Sequence, residues 1–216
     1  MSALPLVICD TETTGLSPSE HRIIEVAYAK VTPGGWGDFT IRSHRFDLTP
    51  AAYRAGEARA YQVNGYQPGH PDWAGVPVID TEAAKAQWRA IERDLTDVIL
   101  VNQNVSFDAK FLLSEFDRHN NGIAGEAPWH THKWEVMTFS KLHMKAAGQK
   151  GWALHKTYEL LKGPKLPEHR AEADVLRAVW VLAEGMIKFP KVWEGVEFDC
   201  EGAKGAVERW AKTRTA

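Results

Sequence analysis

The sequence predicts an α/β chain built on a mixed β-sheet with helices on both faces, and three features carry that prediction. Apolar segments of strand length come first, at residues 4–10, 22–31 and 36–46. Segments of helical period then alternate with a further short apolar strand between residues 81 and 187. At 216 residues, 44% hydrophobic and 25% charged, the chain is long enough to bury one core in one domain without disulfides or a structural metal.

The first strand runs from Leu4 to Asp10 and is followed by Thr-Glu-Thr-Thr-Gly, which reads as a buried strand opening into a turn. Arg22 to Val31 alternates through Ile24, Val26 and Tyr28, and Gly34-Gly35 marks a turn before the alternating segment Trp36 to Phe46. These make three neighbouring antiparallel strands. Residues 49–80 hold prolines, glycines and aromatics with no sustained period, and read as loop with short helical turns. Thr81 is the N-cap of a helix reaching Thr96, with Ala84, Trp88, Ile91 and Leu95 on one face, and Val98 to Val101 is a short strand. Asn104 to His119 is a helix with Phe107, Phe111, Leu112, Glu115 and Phe116 spaced by threes and fours, ended by Asn120-Asn121-Gly122. Helices follow over Val136–Ala147, Ala153–Leu161 and Glu172–Ile187, the last apolar through Val175, Ala178, Val179, Leu182 and Met186.

A formal net charge of -2 argues against a protein that coats duplex DNA by neutralising many phosphates, but leaves room for a grip on a few nucleotides. The apolar run Leu4 to Cys9 is too short for a signal segment or a membrane span, so a cytoplasmic location with no membrane partner is expected. Cys9 and Cys200, far apart and in no Cys-x-x-Cys pair, are expected as free thiols.

Four acids and a histidine invite two readings each. Asp10 and Glu12, two apart at a strand end, project to the same face if the chain stays extended, as metal ligands or as a solvated acidic pair. Asp108 starts a helix, where a carboxylate caps the N-terminus without any catalytic role. His169 and Asp174 stand in His-Arg-Ala-Glu-Ala-Asp at the entry to the last long helix, where a salt bridge and a structural histidine are the ordinary explanation.

Taken together, Asp10-Thr-Glu-Thr-Thr-Gly-Leu, Asn104-Val-Ser-Phe-Asp and His169-Arg-Ala-Glu-Ala-Asp occur in the order and spacing of a known set. On these motifs the chain resembles the DEDDh exonucleases, the DnaQ-like group on an RNase H-like fold, over roughly residues 4 to 187. The resemblance implies that Asp10, Glu12, Asp108 and Asp174 bind two divalent cations and that His169 is the general base. Four converging carboxylates would raise one another's pKa values unless cations are bound, and hard oxygen ligands favour Mg2+ or Mn2+. Two ions about 3.5–4 Å apart suit an in-line phosphoryl displacement. The family's use of its Thr-Thr-Gly-Leu segment against the terminal nucleotide assigns Thr13, Thr14 and Leu16 to the 3′ end, with Gly15 letting the backbone come close. Phe107 either touches the terminal sugar or base, or packs in the core.

The sequence departs from the family at Asn102-Gln103, where relatives carry Gly-His, and across residues 49–80. The expected activity is metal-dependent 3′→5′ hydrolysis of single-stranded ends, with DNA favoured because no RNA-selecting element is recognisable. An RNA-trimming exoribonuclease and an inactive nucleic-acid- or polymerase-binding module are the alternatives, and the full set of acids and the histidine argues against the inactive module. Lys141, His143, Lys145, Lys150 and Lys156 form the most basic stretch and either guide a strand or face solvent. Residues 1–190 are expected to form the exonuclease domain. Residues 191–216 are expected to pack on it as a tail, whose Val207 and Trp210 could otherwise meet a polymerase or a second copy of the chain.

Overall fold

A computed structural model of the chain describes residues 4–31, 39–119, 126–168, 170–189 and 199–214. The expected Gly34-Gly35 turn and Asn120-Asn121-Gly122 helix stop lie outside these residues.

Strands β1 (Leu6–Thr13), β2 (Ile23–Val31) and β3 (Ile41–Arg45) pair antiparallel, and β4 (Ile99–Asn102) and β5 (Lys133–Glu135) continue the sheet in parallel, in the order β3-β2-β1-β4-β5. This is the mixed sheet that the sequence predicts. Strand β1 outruns its expected end at Asp10, because β2 stays paired with it through Thr11↔Val26 and Glu12↔Glu25 before the register breaks between Glu12 and Thr13. The extra residues keep Glu12 on the Asp10 side of the sheet. Strand β5 is not among the expected elements: three residues, two of them exposed, carry no readable alternation.

Residues 49–80 hold two short helices, α1 (Pro50–Ala55) and α2 (Ala58–Asn64), and a 3₁₀ turn at Pro71–Trp73. A bridge between Asp47 and Val78 closes this excursion at its base. Helices α3 (Glu82–Asp94), α4 (Val105–His119), α5 (Met137–Ala146), α6 (Leu154–Leu160) and α7 (Ala171–Lys188) fall where the apolar spacing puts them, and α8 (Cys200–Arg214) follows. Thr81 caps α3 by accepting from the Ala84 N–H.

The pleat of β1 separates two cores. Leu6 and Ile8 join the layer built on α7, α6 and α8, whereas Val7 and Cys9 join the layer built on α3 and α4. The apolar face of α8 is covered by its own domain: Ala203, Val207 and Ala211 are buried in the α7 layer, and the Trp210 indole donates to Glu172 at 3.0 Å. Cys9 is a buried free thiol and Cys200 a half-buried one. No described helix is long and apolar enough to cross a membrane.

Candidate active site

The parity of β1 sorts the acids. Asp10 and Glu12 continue the Leu6/Ile8 side and face α7, where Asp174 lies in the first turn, and one carboxylate oxygen from each of the three lies within 4.8 Å of the others. Thr11, of opposite parity, faces α4. Its hydroxyl donates to Asp108 Oδ1 at 2.7 Å and its N–H donates to the same oxygen at 3.1 Å. Asp108 thus reaches the site from the other layer and borders the same pocket as the three clustered acids, of which it is not one.

The fourth strand supplies a residue that the motifs do not single out for a role. Asn102 is buried at the end of β4, where its side chain favours the ionised forms of both Asp10 and Asp108, and its Oδ1 accepts from the Gln103 N–H at 2.6 Å. Its place in a family departure is visible in the sequence, but its partners depend on β4 lying beside β1 in parallel.

Burial pushes Asp10 well above the usual carboxylate range, and the charges of Asp174, Asp108 and Glu12 add to the effect against the Asn102 hydrogen bond. Glu12 is pushed up to about 8 by burial and by Asp174, Glu25 and Asp108. Asp108 is pushed up to about 7 by burial, opposed by its bonds from Thr11 and Asn102. Carboxylates that face one another at this cost are the oxygen donor set that a hard divalent cation takes, so the residues present fit one.

The entrance to α7 is anchored on both sides. Arg177 donates to Asp174 Oδ1 at 2.6 Å and to the carbonyls of Pro167 at 2.6 Å and Leu166 at 3.3 Å. Arg170 lies 3.4 Å from Glu25 and 3.4 Å from Asp72. His169, the expected general base, stands between these anchors in sequence and lies outside the described residues. The Asp174/Arg177 spacing of three on a helix is readable as an ion pair, although the carbonyl partners are not.

The four residues expected at the terminal nucleotide differ in what they leave free. Thr13 donates its hydroxyl to the Gly15 carbonyl at 2.7 Å, and its own carbonyl accepts from Asn64 at 2.9 Å. Thr14 has its N–H, carbonyl and hydroxyl engaged by Arg22, Glu57 and Arg22 respectively, at 2.9, 2.7 and 2.9 Å. Both threonines therefore shape the turn. Leu16 is 74% exposed, with its N–H directed at Glu57 Oε1, and half-buried Phe107 lines the acid pocket. Glycine is required at position 15 by the His21 ring, since a Cβ would fall 2.5 Å from it; the close approach there is to the protein's own side chain.

Behind this turn, Glu115 of α4 is fully buried and receives Arg22 through two bonds of 2.9 Å, the Ile23 N–H at 3.1 Å and Arg118 at 3.1 Å. Burial alone would raise its pKa, but His119, Arg22 and Arg118 hold it down to about 2.

From the acids, a cleft of about 630 Å³ runs past Gln103 to Leu154, His155 and Tyr158 of α6 and to Lys165. His143 of the basic stretch is buried and does not belong to any guiding surface, whereas Lys141, Lys145, Lys150 and Lys156 are exposed.

The family model described as Exonuclease (RNase_T) matches residues 7–182. The fold is similar to that of exonuclease I in a structure used to suggest how processivity is achieved (TM-score 0.65, 16% identity, 89% of this chain and 43% of that one). It is also similar to a zinc-ion-bound E. coli ExoI–ssDNA complex (0.63, 15%, 90% and 42%) and to a moderately thermophilic exonuclease I from Methylocaldum szegediense (0.61, 14%, 88% and 42%). At such identities the likeness is one of fold, and the chain spans less than half of each of these proteins. The search of curated proteins found no match.

Proposed function

Since the chain belongs to the exonuclease family whose model spans residues 7–182, we propose that it is a metal-dependent 3′→5′ exonuclease that removes nucleoside 5′-monophosphates from single-stranded ends, with DNA as the favoured substrate. The observation that carries the reading is the convergence of Asp10, Glu12 and Asp174 oxygens within 4.8 Å, with Asp108 brought alongside by Thr11. The single-stranded DNA held by the E. coli ExoI complex, which shares the fold, supports the choice of substrate.

Asp10, Glu12, Asp174 and Asp108 would hold two divalent cations, Mg2+ or Mn2+ by the hardness of their oxygen donors. Bound there, such ions polarise the scissile phosphate and acidify an attacking water. The remaining steps belong to the chain. His169 accepts the proton of the attacking water, a contribution worth about 10²–10⁴ in rate. Pro167 and Arg170, on either side of it in sequence, are fixed by Arg177 and Glu25. Asn102 and Thr11 hold Asp10 and Asp108 in place. Leu16 and Phe107 flank the terminal base, while Thr13 and Thr14 keep the Leu16 turn rigid.

The test is a time course on a 5′-labelled single strand with Mg2+ or Mn2+, as matched DNA and RNA, comparing wild type with Asp10→Ala and His169→Ala. A ladder shortening from the 3′ end, abolished by the first substitution and slowed about 10²–10⁴-fold by the second, is expected. An intact strand under both metals would overturn the reading, and faster loss of RNA would move the substrate to RNA.

A further inference from the structure

The segment from Val136 to Tyr158 contains no aspartate or glutamate, in a chain with 28 acidic residues and a net charge of -2. It carries Lys141, Lys145, Lys150 and Lys156, all exposed. Within it Trp152 is 50% exposed, whereas Trp73, Trp88, Trp129 and Trp180 are buried and Trp134 and Trp210 half-buried. An indole left in water gives up the burial that favours the other tryptophans. Lys141 Nζ sits over its ring, 5.0 Å from the centroid, joining a cation to the aromatic surface.

The patch is tied to the acid site. Gln103, which lines the pocket with Asp10 and Asp174, donates its amide to the Trp152 carbonyl at 2.6 Å, and its Oε1 accepts from Ser140 of α5 at 3.2 Å. Two residues beyond Trp152 the chain enters α6, whose Leu154 and His155 line the cleft that begins at the acids. An aromatic ring with a lysine over it, in a lysine-bearing segment two residues from the lining of a cleft that begins at the acids, matches the chemistry of a single strand: bases stack and phosphates pair.

We infer that Trp152, with Lys141 and the neighbouring lysines, is a docking platform for the single strand upstream of its cleaved end, a base stacking on Trp152 and the phosphates lying against the lysines. The inference rests on the exonuclease reading for the identity of the strand. Trp152 touches no reacting atom, so its effect falls on binding of long substrates alone. Its tie to Gln103 runs through the backbone carbonyl, which Trp152→Ala leaves in place.

The experiment compares wild type, Trp152→Ala and Trp152→Phe on two substrates: a 5′-labelled single-stranded DNA 12-mer, and the p-nitrophenyl ester of thymidine 5′-monophosphate, which fills the acid site without an upstream strand. Trp152→Ala is expected to raise KM for the 12-mer roughly tenfold, within the range that loss of one stacked base gives, with the ester unchanged and Trp152→Phe close to wild type. Replacing the four lysines by glutamine is expected to flatten the salt dependence of the 12-mer KM by about 0.7 in log–log slope for each phosphate that is no longer neutralised. An unchanged 12-mer KM in Trp152→Ala overturns the proposal, as does an equal loss on both substrates, which would place Trp152 in support of the acid site. If wild type cleaves neither substrate, the exonuclease reading fails and anisotropy with 5′-fluorescein dT12 decides separately: weaker binding by Trp152→Ala upholds the platform, and equal binding removes it.

Discussion

Arg177 holds Asp174 and the Pro167 carbonyl with the two nitrogens of one guanidinium, each at 2.6 Å, so the third acid and the segment leading to His169 share a single support. A lysine cannot serve two partners at the angle of this fork. Arg177→Met and Arg177→Lys are both expected to lower kcat by about 10–100-fold, the usual effect of removing a group that orients a ligand. Calorimetric titration of Arg177→Met with Mn2+ should show affinity that is not weakened, because the cation near Asp174 has been removed with the arginine. Weaker Mn2+ binding with unchanged kcat would contradict this account.

Thr11 lowers the pKa of Asp108 by donating to its carboxylate, against the burial that pushes it up to about 7. Thr11→Val deletes the hydroxyl and keeps the shape. A hydrogen bond to a charged group is worth about 1.5–3 kcal/mol, and a pKa unit is about 1.4 kcal/mol, so the acid limb of the kcat/KM profile is expected to move up by about one to two units. The pH–rate profile on the 12-mer measures it, and a limb that stays in place would show that Asp108 does not set it.

Glu12, at about 8, lies above its ordinary 4.5 when no cation is bound. Its folded pKa exceeds the unfolded one, so its contribution to stability is full below about 4.5 and is lost as pH rises through about 8. Tm of the metal-free protein is expected to fall between pH 5 and 9, and that of Glu12→Gln to fall less, gaining roughly 2–4 °C at pH 9 for each kcal/mol of repulsion removed. Mn2+ should bind more tightly as pH rises across the same interval, with protons released on binding. Thermal scans with chelator and calorimetry in two buffers of different ionisation enthalpy test both.

Glu115 lies at the other extreme, held down to about 2 by His119, Arg22 and Arg118. Glu115→Ala strands Arg22 in a buried site with Asp80 as its remaining carboxylate partner. Breaking a buried pair costs about 3–5 kcal/mol, which is roughly 6–20 °C in Tm at 2–4 °C per kcal/mol. The wild-type contribution is present above about 4.5 and is lost as pH falls toward about 2. Urea unfolding at pH 7 gives the cost directly, and a loss under about 1 kcal/mol would mean that the cluster does not brace the Thr14–Arg22 turn.

The helices and the central strands are readable in the sequence because each buries one face, and residues such as Trp88, Ile91, Val175 and Leu182 repeat with the period of the element. The acids are readable as motif members, although each alone has an ordinary explanation. Strand β5 stays hidden because its place depends on parallel pairing with β4, whereas α1 and α2 are the short helical turns expected in residues 49–80, their bounds unreadable because they hold one buried residue between them, Asn64. The roles of Asn102 and Arg177 stay hidden for a related reason: what they hold is a carboxylate or carbonyl brought close by the fold, and a one-dimensional pattern carries no such information. The motif suggests that four acids meet, but not that Asp108 arrives through Thr11 from the opposite layer.

That divided supply has a consequence for the life of the chain before it is finished. Asp10 and Glu12 leave the ribosome early, and Asp174 comes only with α7, after the whole of the α3/α4 layer has been made. On the proposed chemistry, a nascent or half-docked chain has at most part of its acid set. The full acid set that this reading requires is therefore assembled late, only when α7 packs on the sheet that already carries Asp10 and Glu12.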